Sequence, residues 1–299
     1  MDDLIYESYK RAGKIAADAR DYGVSLIKPG AKFLDITTLI EQRIVKNNAG
    51  LAFPVNIAIN TLAAHYSPKH DDPLSFKKGD VVKLDVGAHV NGYIADTAVT
   101  IELETHNYDS MIRASEEALT KVIKLLNPDI PLCDAGRTIE TTITSYGYKP
   151  INNLMGHGLG RYELHSGVSI PNVGALGGKS KLNNGDVVAI EPFATNGAGH
   201  VISGGGSNIY ICKDTFKAKF IRENKTKAMF DKLRSHFGTL PFAQRWFHAL
   251  FPKDDIFMKK LAFLGVIKQY PQLLEAKGGI VTQKEHTVII RDNGCEVIT

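Results

Sequence analysis

One short phrase occurs twice in this sequence, 106 residues apart, and it constrains the fold more than any other feature. Residues 79–85 read Gly-Asp-Val-Val-Lys-Leu-Asp, and residues 185–191 read Gly-Asp-Val-Val-Ala-Ile-Glu. In both copies a carboxylate, Asp85 or Glu191, follows the glycine by six positions within an apolar, strand-like run. Because an ionised carboxylate is costly inside a sheet unless positive charge meets it, the repeat predicts a cation held between two related halves.

The duplication extends to the segments that precede each phrase. Apolar residues recur with helical spacing over 4–21 and over 110–126, where Ser110 is a capping-type residue. Each predicted helix ends before a proline, and six residues after that proline an aspartate, Asp35 or Asp134, is placed to cap a second helix. The sequence therefore predicts two α+β halves, each with two helices followed by antiparallel strands.

The strand that contains the first phrase is predicted to form a hairpin with the next one. An Asn-Gly pair at 91–92, between two apolar runs, is a strong signal for a two-residue turn. A turn there pairs Asp85 with Ala98 and Gly87 with Asp96. The two aspartates then lie on one face as diagonal neighbours, and a register slip of two would place them directly opposite. In either register, the side-chain period of two keeps them close enough to share an ion.

A segment of the second half has no counterpart in the first half. Residues 213–275 are rich in lysine, have helical periodicity and include aromatic residues such as Phe216 and Trp246. Regular strand patterning resumes at 279–290. We interpret the chain as a single domain over residues 1–299 with an inserted helical subdomain at 213–275.

The inserted segment also concentrates positive charge. Residues 210–280 contain 14 Lys/Arg and 6 Asp/Glu, which gives +8 in a chain of net charge +4 and leaves −4 for the remainder. Composition alone leaves two interpretations open. The segment has either a solvated helical surface or a basic face for an acidic partner such as ribosomal RNA.

Several global features predict a cytoplasmic protein with no membrane association. No apolar run approaches the roughly 18 residues that span a bilayer, and the first residues are acidic rather than basic. Cysteines occur only at 133, 212 and 295, with no C-x-x-C pair. This pattern favours a reducing compartment and argues against a disulfide framework or thiolate-bound zinc.

Four carboxylates and one imidazole form the candidate metal site. The candidate ligands are Asp85, Asp96, His157, Glu191 and Glu285. This hard, oxygen-rich set suits two divalent ions such as Mn²⁺, Fe²⁺, Co²⁺ or Zn²⁺. Two ions about 3.5–4 Å apart need bridging carboxylates, and a water between them loses a proton easily, which produces a nucleophile suited to amide hydrolysis.

Each of these residues has an ordinary structural explanation when it is considered alone. A strand aspartate is more often an exposed or bulge residue, and a histidine after glycine is more often a loop residue. Asp85 and Glu191, however, occupy equivalent positions of the repeat, and Asp96 falls on the same face as Asp85. Glu285 alternates on one strand face with Gln283. The ordered set favours a metal centre.

In their order and local context, these five residues resemble the dinuclear site of methionine aminopeptidases, members of the pita-bread metallohydrolases. The short archaeal form of type II is most similar, on the motifs at 51–56, 63–68, 153–158, 165–172 and 285–287. The resemblance covers nearly the whole chain, and the insertion lies where type II enzymes carry an extra helical, winged-helix-like subdomain. It implies an α+β pita-bread fold, with pseudo-twofold halves around a curved sheet.

The resemblance also assigns roles. Asp85 resembles a bidentate ligand of one metal, His157 and Glu191 resemble ligands of the other, and Asp96 and Glu285 resemble the bridging pair. Four further residues resemble those that contact the substrate: His65, His165 and the pocket walls Phe53 and Leu164. By the same resemblance, His65, His165 and Glu191 take part in catalysis. On spacing alone, either histidine could instead be an ordinary core or loop residue.

By this resemblance, the chain would be a monomeric cytoplasmic metalloaminopeptidase that removes the N-terminal methionine of nascent proteins when the second residue is small. A hydroxide that bridges two divalent ions (Co, Mn, Fe or Zn) would attack the peptide carbonyl. Composition leaves open an association with the ribosome through the basic insertion. Two alternatives stay open. A prolidase-like enzyme shares the five ligands but usually has an additional N-terminal domain, whereas the first predicted helix here begins near Met1. A non-enzymatic, RNA-associated relative would suit the basic insertion, although such proteins lose ligands.

Overall fold

The structure is a computed structural model that describes residues 1–213, 218–219, 221–252 and 255–299. Parts of the predicted insertion, including Phe216, lie outside the described residues. Amphipathic helices cover the outer faces of twisted sheets. The helices are α1 (Asp3–Leu26), α2 (Phe33–Lys46), α3 (Asp109–Leu125), α4 (Leu132–Ser145), α5 (Asn224–Phe237), α6 (Gln244–Leu250) and α7 (Asp255–Phe263), with a short 3-10 helix at Gly174–Leu176.

The strands are mostly short, and their pairing is antiparallel. They are β1 (Gly50–Leu51), β2 (Asn56–Ile59), β3 (Leu62–Ala64), β4 (Val81–Val90), β5 (Tyr93–Glu102), β6 (Lys149–Pro150), β7 (Met155–Gly160), β8 (Glu163–Pro171), β9 (Val187–Ile190), β10 (Phe193–Thr195), β11 (Val201–Cys212), β12 (Phe242–Ala243), β13 (Ile267–Glu275), β14 (Val281–Gln283), β15 (His286–Arg291) and β16 (Gly294–Val297). None of the described helices is both long enough and apolar enough to cross a membrane.

The first half forms a sheet around the predicted hairpin. Strands β4 and β5 pair over their whole length, with Asp85 opposite Ala98 and Gly87 opposite Asp96, so the predicted register is confirmed. The other edge of β4 pairs with β1 and β2. Helix α1 packs across β4 and β5 through a buried face that includes Tyr9, which matches the helical spacing in the sequence.

The second half repeats this arrangement. Its sheet has the order β16-β15-β9-β7-β8, so the second phrase lies on the central strand β9, as the first phrase lies on β4. Gly79 and Gly185 have φ angles of 85° and 92°, a left-handed region that favours glycine. Their N–H groups donate to equivalent carbonyls, those of Leu103 at 2.7 Å and Ile290 at 2.9 Å. The repeated phrase therefore encodes the same turn into the same central strand.

The helix starts differ from the predicted caps. Helix α2 begins at Phe33 and α4 begins at Leu132, so Asp35 and Asp134 lie inside the first turns rather than at the caps. A carboxylate in the first turn still interacts favourably with the positive end of the helix dipole. Helix α3 begins one residue before Ser110, which is likewise not the capping residue.

The inserted segment is helical over α5, α6 and α7 but not at its C-terminal end. Residues 267–275 form β13, which pairs with β11 and, through its last residues, with β3. The prediction of helical structure was therefore wrong for residues 267–275. Pro271 explains the difference, because proline disrupts a helix interior. A strand tolerates proline where its pairing is irregular. Here Pro271 lies opposite Gly206, between two register shifts.

Separate apolar cores support the halves and the insertion. One cluster joins α1 and α2 to the first sheet, and a second joins α3 and α4 to the second sheet. The insertion has a core of its own, in which Phe230, Leu233 and Phe247 are at most 1% exposed. Residues from both halves, including Ala189 and Ile289, enter the first cluster, so the two sheets meet at the centre of the molecule.

Candidate metal centre

The structure brings all five candidate ligands to one cavity between the two sheets. Asp85 and Asp96 project from the hairpin β4–β5, and His157 projects from β7. Glu191 directly follows β9. Glu285 was predicted within a continuous strand, but the strand is interrupted there, between β14 and β15. The interruption lets the Glu285 N–H donate to the carbonyl of Ala98 at 3.0 Å.

The ligand atoms are close enough to surround a cation. One donor atom each from Asp96, His157 and Glu285 lies within 4.8 Å of the others, and all three residues are buried. His157 Nε2 lies 3.8 Å from Asp96 Oδ2 and 3.8 Å from Glu191 Oε1. Asp85 lines the same cavity, and its carboxyl group lies close enough to that of Asp96 for each to influence the pKa of the other.

The carboxyl groups are in an environment that disfavours negative charge. Burial raises the pKa of Asp85 to about 7. Burial and the neighbouring carboxylates raise the pKa values of Asp96, Glu191 and Glu285 well above their ordinary range. Without a cation, these groups therefore hold protons that a metal ion would displace.

Unpaired oxygen atoms support the same conclusion. Among the described residues, Asp85 Oδ1, Asp96 Oδ1 and Glu285 Oε2 are buried and have no hydrogen-bond partner. A buried polar atom without a partner costs free energy, and it needs a specific explanation. Hard oxygen donors together with one imidazole fit divalent metal ions, which would satisfy all three atoms.

His157 is arranged as a neutral nitrogen donor. Burial, and then the proximity of His165, lower the pKa of His157 to about 3. Its Nδ1 lies 3.3 Å from the carbonyl of Gly158, and a donated hydrogen bond there leaves the lone pair of Nε2 facing the carboxylates. A metal-ligating histidine is commonly oriented in this way through its second nitrogen.

The two histidines predicted to contact substrate lie at the edge of the cluster. The His165 ring is 4.4 Å from the His157 ring, centroid to centroid. Solvent reaches His165 at the cavity mouth, yet partial burial still lowers its pKa, so the ring is neutral at pH 7. Burial lowers the pKa of His65 to about 4, and its Nδ1 lies 3.3 Å from the carbonyl of Pro271.

His65 also has an unusual backbone conformation. Its φ angle is 63°, in the left-handed region that a non-glycine residue rarely adopts. The hydrogen-bond contact with Pro271 and an edge-to-face contact with the Tyr270 ring, at 5.3 Å, hold the side chain there. Strain of this kind concentrates at functional sites, where the surrounding structure stabilises it.

Apolar side chains line the cavity together with the carboxylates. Phe53 and Leu164, the predicted pocket walls, both line it, together with Ile209. The Phe53 ring packs against Gly87, where a Cβ atom would lie 2.2 Å from the ring. Glycine at 87 therefore lets the ring approach the hairpin that carries Asp85.

Sequence reasoning missed part of the lining. Pro241 and Tyr270 reach the cavity from the inserted segment, which has no repeat partner to indicate such a role. Asn56 lines the cavity opposite Asp85, and its Oδ1 is buried without a hydrogen-bond partner in the described chain. Gln283 donates a hydrogen bond to Glu191 Oε2 at 3.3 Å. The only sequence signal for this contact between Gln283 and Glu191 was the position of Gln283 on the same predicted strand face as Glu285.

Comparisons with known proteins agree with this geometry. The sequence model of "Metallopeptidase family M24" matches residues 7–223. A methionine aminopeptidase of Methanocaldococcus jannaschii is 46% identical over 295 residues, which cover 98% of each chain. The crystal structure of a methionine aminopeptidase from Thermotoga maritima is similar at 26% identity with a TM-score of 0.73, covering 100% of this chain and 98% of that one.

The fold is also shared more widely. A thermophilic Arx1 is similar with a TM-score of 0.86 at 18% identity, over 100% of this chain and 91% of that chain, a likeness that concerns the fold alone. The predicted α+β pita-bread fold is confirmed by these structural similarities.

Proposed function

The chain belongs to the methionine aminopeptidases of metallopeptidase family M24, and we propose that it removes the N-terminal methionine of nascent polypeptides whose second residue is small. One observation carries the proposal. Five candidate ligands from both halves of the repeat meet in one cavity that apolar side chains also line, and three of their oxygen atoms have no hydrogen-bond partner among the described residues. This arrangement supports a hydrolytic centre beside apolar side chains that would contact the methionine side chain.

The proposed centre holds two divalent ions through Asp85, Asp96, His157, Glu191 and Glu285. Four carboxylates supply enough negative charge for two such ions, and Mn²⁺, Fe²⁺, Co²⁺ and Zn²⁺ all suit the mixed oxygen and nitrogen donors. When bound, the ions would supply Lewis acidity and an activated water. The remaining chemistry belongs to the side chains around them.

Substrate recognition depends on the apolar pocket and on the two histidines. The methionine side chain would lie between Phe53 and Leu164, against Ile209. His65, whose ring is held by Pro271 and Tyr270, would contact the substrate near the cavity mouth.

Proton transfer is assigned to Glu191 and His165. Glu191 Oε2 accepts a hydrogen bond from Gln283 at 3.3 Å, and its Oε1 lies 3.8 Å from His157 Nε2, so the carboxylate borders the proposed centre. Glu191 would take the proton of the attacking water and pass it to the leaving amine. His165, neutral because its pKa is lowered, would donate an N–H hydrogen bond to the developing oxyanion.

A preference for a small second residue is part of the proposal. His65, His165 and Tyr270 all line the cavity, and we infer that their rings would limit the space for the side chain after the scissile bond. We infer that substrates with Ala, Gly or Ser at this position are preferred.

The basic insertion is proposed to contact the ribosome, the source of nascent chains. On α5, Lys225, Lys227, Lys232 and Arg234 are exposed on the surface, and Asp231 is its only acidic residue. Such a surface suits the phosphate backbone of RNA, and binding through it would weaken as salt increases. We propose that the protein acts as a monomer in the cytoplasm, where its three free cysteines would stay reduced.

Peptide hydrolysis tests the proposed function directly. Metal-depleted protein would be supplied with Mn²⁺ or Co²⁺ and assayed on Met-Ala-Ser, Met-Leu-Ser and Ala-Pro-Ser, with release of the first amino acid measured. We expect Met-Ala-Ser to be cleaved, Met-Leu-Ser to have a kcat/KM roughly 10- to 100-fold lower, and Ala-Pro-Ser to be a poor substrate.

The matched control is Asp96→Asn, which keeps the shape of the side chain and removes its charge. It should abolish release of methionine without unfolding the protein. Folded wild-type protein that binds metal but releases no methionine would contradict the proposal. A preference for Ala-Pro-Ser would favour the prolidase-like alternative instead.

A further inference from the structure

Three buried threonine hydroxyls join the two halves of the molecule beside the metal centre. Strand β5 belongs to the first half, and β14 and β15 belong to the second. In the described part of the chain, no strand ladder joins β5 to β14 or β15. Thr97, Thr100 and Thr287 are at most 3% exposed, and their hydroxyl groups make the contacts that a ladder would otherwise supply. We call these residues the threonine seam.

Thr287 fixes the backbone of Asp96. Its Oγ1 accepts a hydrogen bond from the N–H of Asp96 at 2.8 Å and donates one to the carbonyl of the same residue, also at 2.8 Å. A hydroxyl has one proton and two lone pairs, so a single threonine can satisfy both backbone groups. Asp96 is therefore held at both backbone polar groups by a side chain from the opposite half.

Thr100 makes the reciprocal contact in the other direction. Its Oγ1 accepts from the N–H of Gln283 at 2.8 Å and donates to the carbonyl of Gln283 at 2.7 Å. The amide of Gln283 in turn donates to Glu191 Oε2 at 3.3 Å. A threonine of the first half thus positions, through one glutamine, a carboxylate of the second half.

Thr97 completes the seam at Glu285. Its Oγ1 donates to the carbonyl of Glu285 at 3.0 Å, next to the backbone contact between Glu285 and Ala98. Arg20 donates to the same hydroxyl at 2.5 Å, which fixes the orientation of the threonine. Each hydroxyl of the seam therefore acts on a different carboxylate of the candidate metal centre.

We propose that the threonine seam sets the separation of the carboxylates that hold the metal ions, with Thr287 as the main positioning residue. The two halves carry different ligands, so their relative position decides whether Asp96 and Glu285 can serve the same ions. Contacts that orient metal ligands typically change metal affinity by about 10- to 100-fold when they are removed. This inference rests on the proposed function, since it concerns the same metal centre.

Metal binding by variants of Thr287 tests the inference without measuring catalysis. Thr287→Val keeps the shape of the side chain and removes the hydroxyl, whereas Thr287→Ser keeps the hydroxyl. Titration of Mn²⁺ into metal-depleted protein, followed by calorimetry, should give a Kd about 10- to 100-fold higher for Thr287→Val. Thr287→Ser should stay within about 3-fold of the wild type, because its hydroxyl can make the same two hydrogen bonds.

Thr37→Val is the matched control. Thr37 is also 0% exposed, but within the described part of the chain its hydroxyl bonds only to carbonyls of its own helix α2, those of Phe33 at 2.5 Å and Leu34 at 3.3 Å. Its Kd for Mn²⁺ should be unchanged. The absorption bands of bound Co²⁺, which report coordination geometry, should shift in Thr287→Val and not in Thr37→Val.

The outcomes separate this inference from the proposed function. A wild-type Kd for Thr287→Val, or equal weakening in Thr37→Val, would overturn the role of the seam alone. Wild-type protein that binds no Mn²⁺ would contradict both proposals. If Thr287→Val fails to fold, as judged by circular dichroism, Thr100→Val provides the same test through Gln283. Unchanged Mn²⁺ affinity in that variant would overturn the inference.

Discussion

The proposed role of Asp85 as a metal ligand would link metal binding to pH. Its pKa of about 7 in the metal-free protein means that the carboxyl group is mostly protonated at pH 6 and mostly ionised at pH 8. A divalent ion held by Asp85 would require the ionised form, so the contribution of Asp85 to the affinity should rise as pH increases through 7 and level off above it. The other three carboxyl groups, with raised pKa values of their own, should extend the effect.

This prediction can be measured as proton release. Calorimetric titration of Mn²⁺ would be carried out at pH 6 and at pH 8, each in two buffers with different ionisation enthalpies. We expect release of protons on metal binding at pH 6 and a smaller release at pH 8. Asp85→Asn should release fewer protons at pH 6 than the wild type. Proton release that does not depend on pH between 6 and 8 would contradict a pKa near 7 for Asp85.

His165 offers a second prediction at the residue scale. His165→Ala removes a neutral N–H donor at the cavity mouth, and the loss of one such donor typically lowers kcat by about 10²- to 10³-fold. Steady-state hydrolysis of Met-Ala-Ser would measure this, with metal content determined in parallel. The metal content should stay that of the wild type, because His165 is not among the candidate ligands. A loss of metal in His165→Ala would show instead that the residue supports the centre itself.

At the scale of elements, we predict that the glycine turns before the two central strands contribute to stability. Gly185 has a φ angle of 92°, and a Cβ added to it would have no neighbouring atom within 4 Å, so Gly185→Ala adds backbone strain without a clash. We expect a loss of about 1–2 kcal/mol in the free energy of unfolding. Urea denaturation would measure it.

Gly205→Ala is the control for this substitution. Gly205 does not have a positive φ angle, and the nearest atom to an added Cβ, Gln272 Nε2, lies 3.9 Å away. Its stability should change by less than about 0.5 kcal/mol. Equal losses in the two variants would mean that the cost at Gly185 does not come from the left-handed turn.

The elements differ in how well their own sequence predicts them. The β4–β5 register follows from the Asn-Gly turn and the apolar alternation, and the pairs Asp85–Ala98 and Gly87–Asp96 were predicted from them, with a slip of two left open. The interruption at Glu285 was not predicted, since nothing local marks it. It depends on the contact with Ala98, a residue 187 positions earlier in the sequence.

At the scale of the whole molecule, one buried ion pair attaches the insertion to the first half. Arg245 of α6 pairs with Glu41 of α2, and their side chains are 7% and 10% exposed. The same glutamate accepts hydrogen bonds from Trp246 Nε1 at 3.0 Å and from the N–H of Val55 at 3.2 Å. The pair therefore also connects the insertion to the segment that carries Phe53.

Removing Glu41 should destabilise this attachment. Glu41→Ala leaves the Arg245 guanidinium buried without its carboxylate, which typically costs about 3–5 kcal/mol. Urea unfolding would measure the loss. The control is Asp18→Ala, which breaks the more exposed pair with Arg43, and its expected cost is at most about 1 kcal/mol. Similar losses for both variants would show that the pair with Arg245 is not an important attachment.

The insertion also shapes the cavity. Pro241 and Tyr270 lie in its lining although the insertion was predicted only as a basic helical surface. The position of these two residues depends on how β12 and β13 pair with β11, which is a tertiary property. A segment without a repeat partner could not be aligned with the site by internal comparison.

The sequence by itself determined the duplicated fold, the central strands and the identity of the candidate ligands, because these depend on local patterns that recur within one chain. Turn glycines, strand alternation and the carboxylate six residues after each glycine can all be recognised within a few consecutive residues. Only the tertiary structure decided how the halves are held at the candidate metal centre, where the strand is interrupted at Glu285, and which residues of the insertion line the cavity. These features depend on hydrogen bonds and packing between residues more than a hundred positions apart, such as Thr287 with Asp96, and no local pattern encodes such contacts.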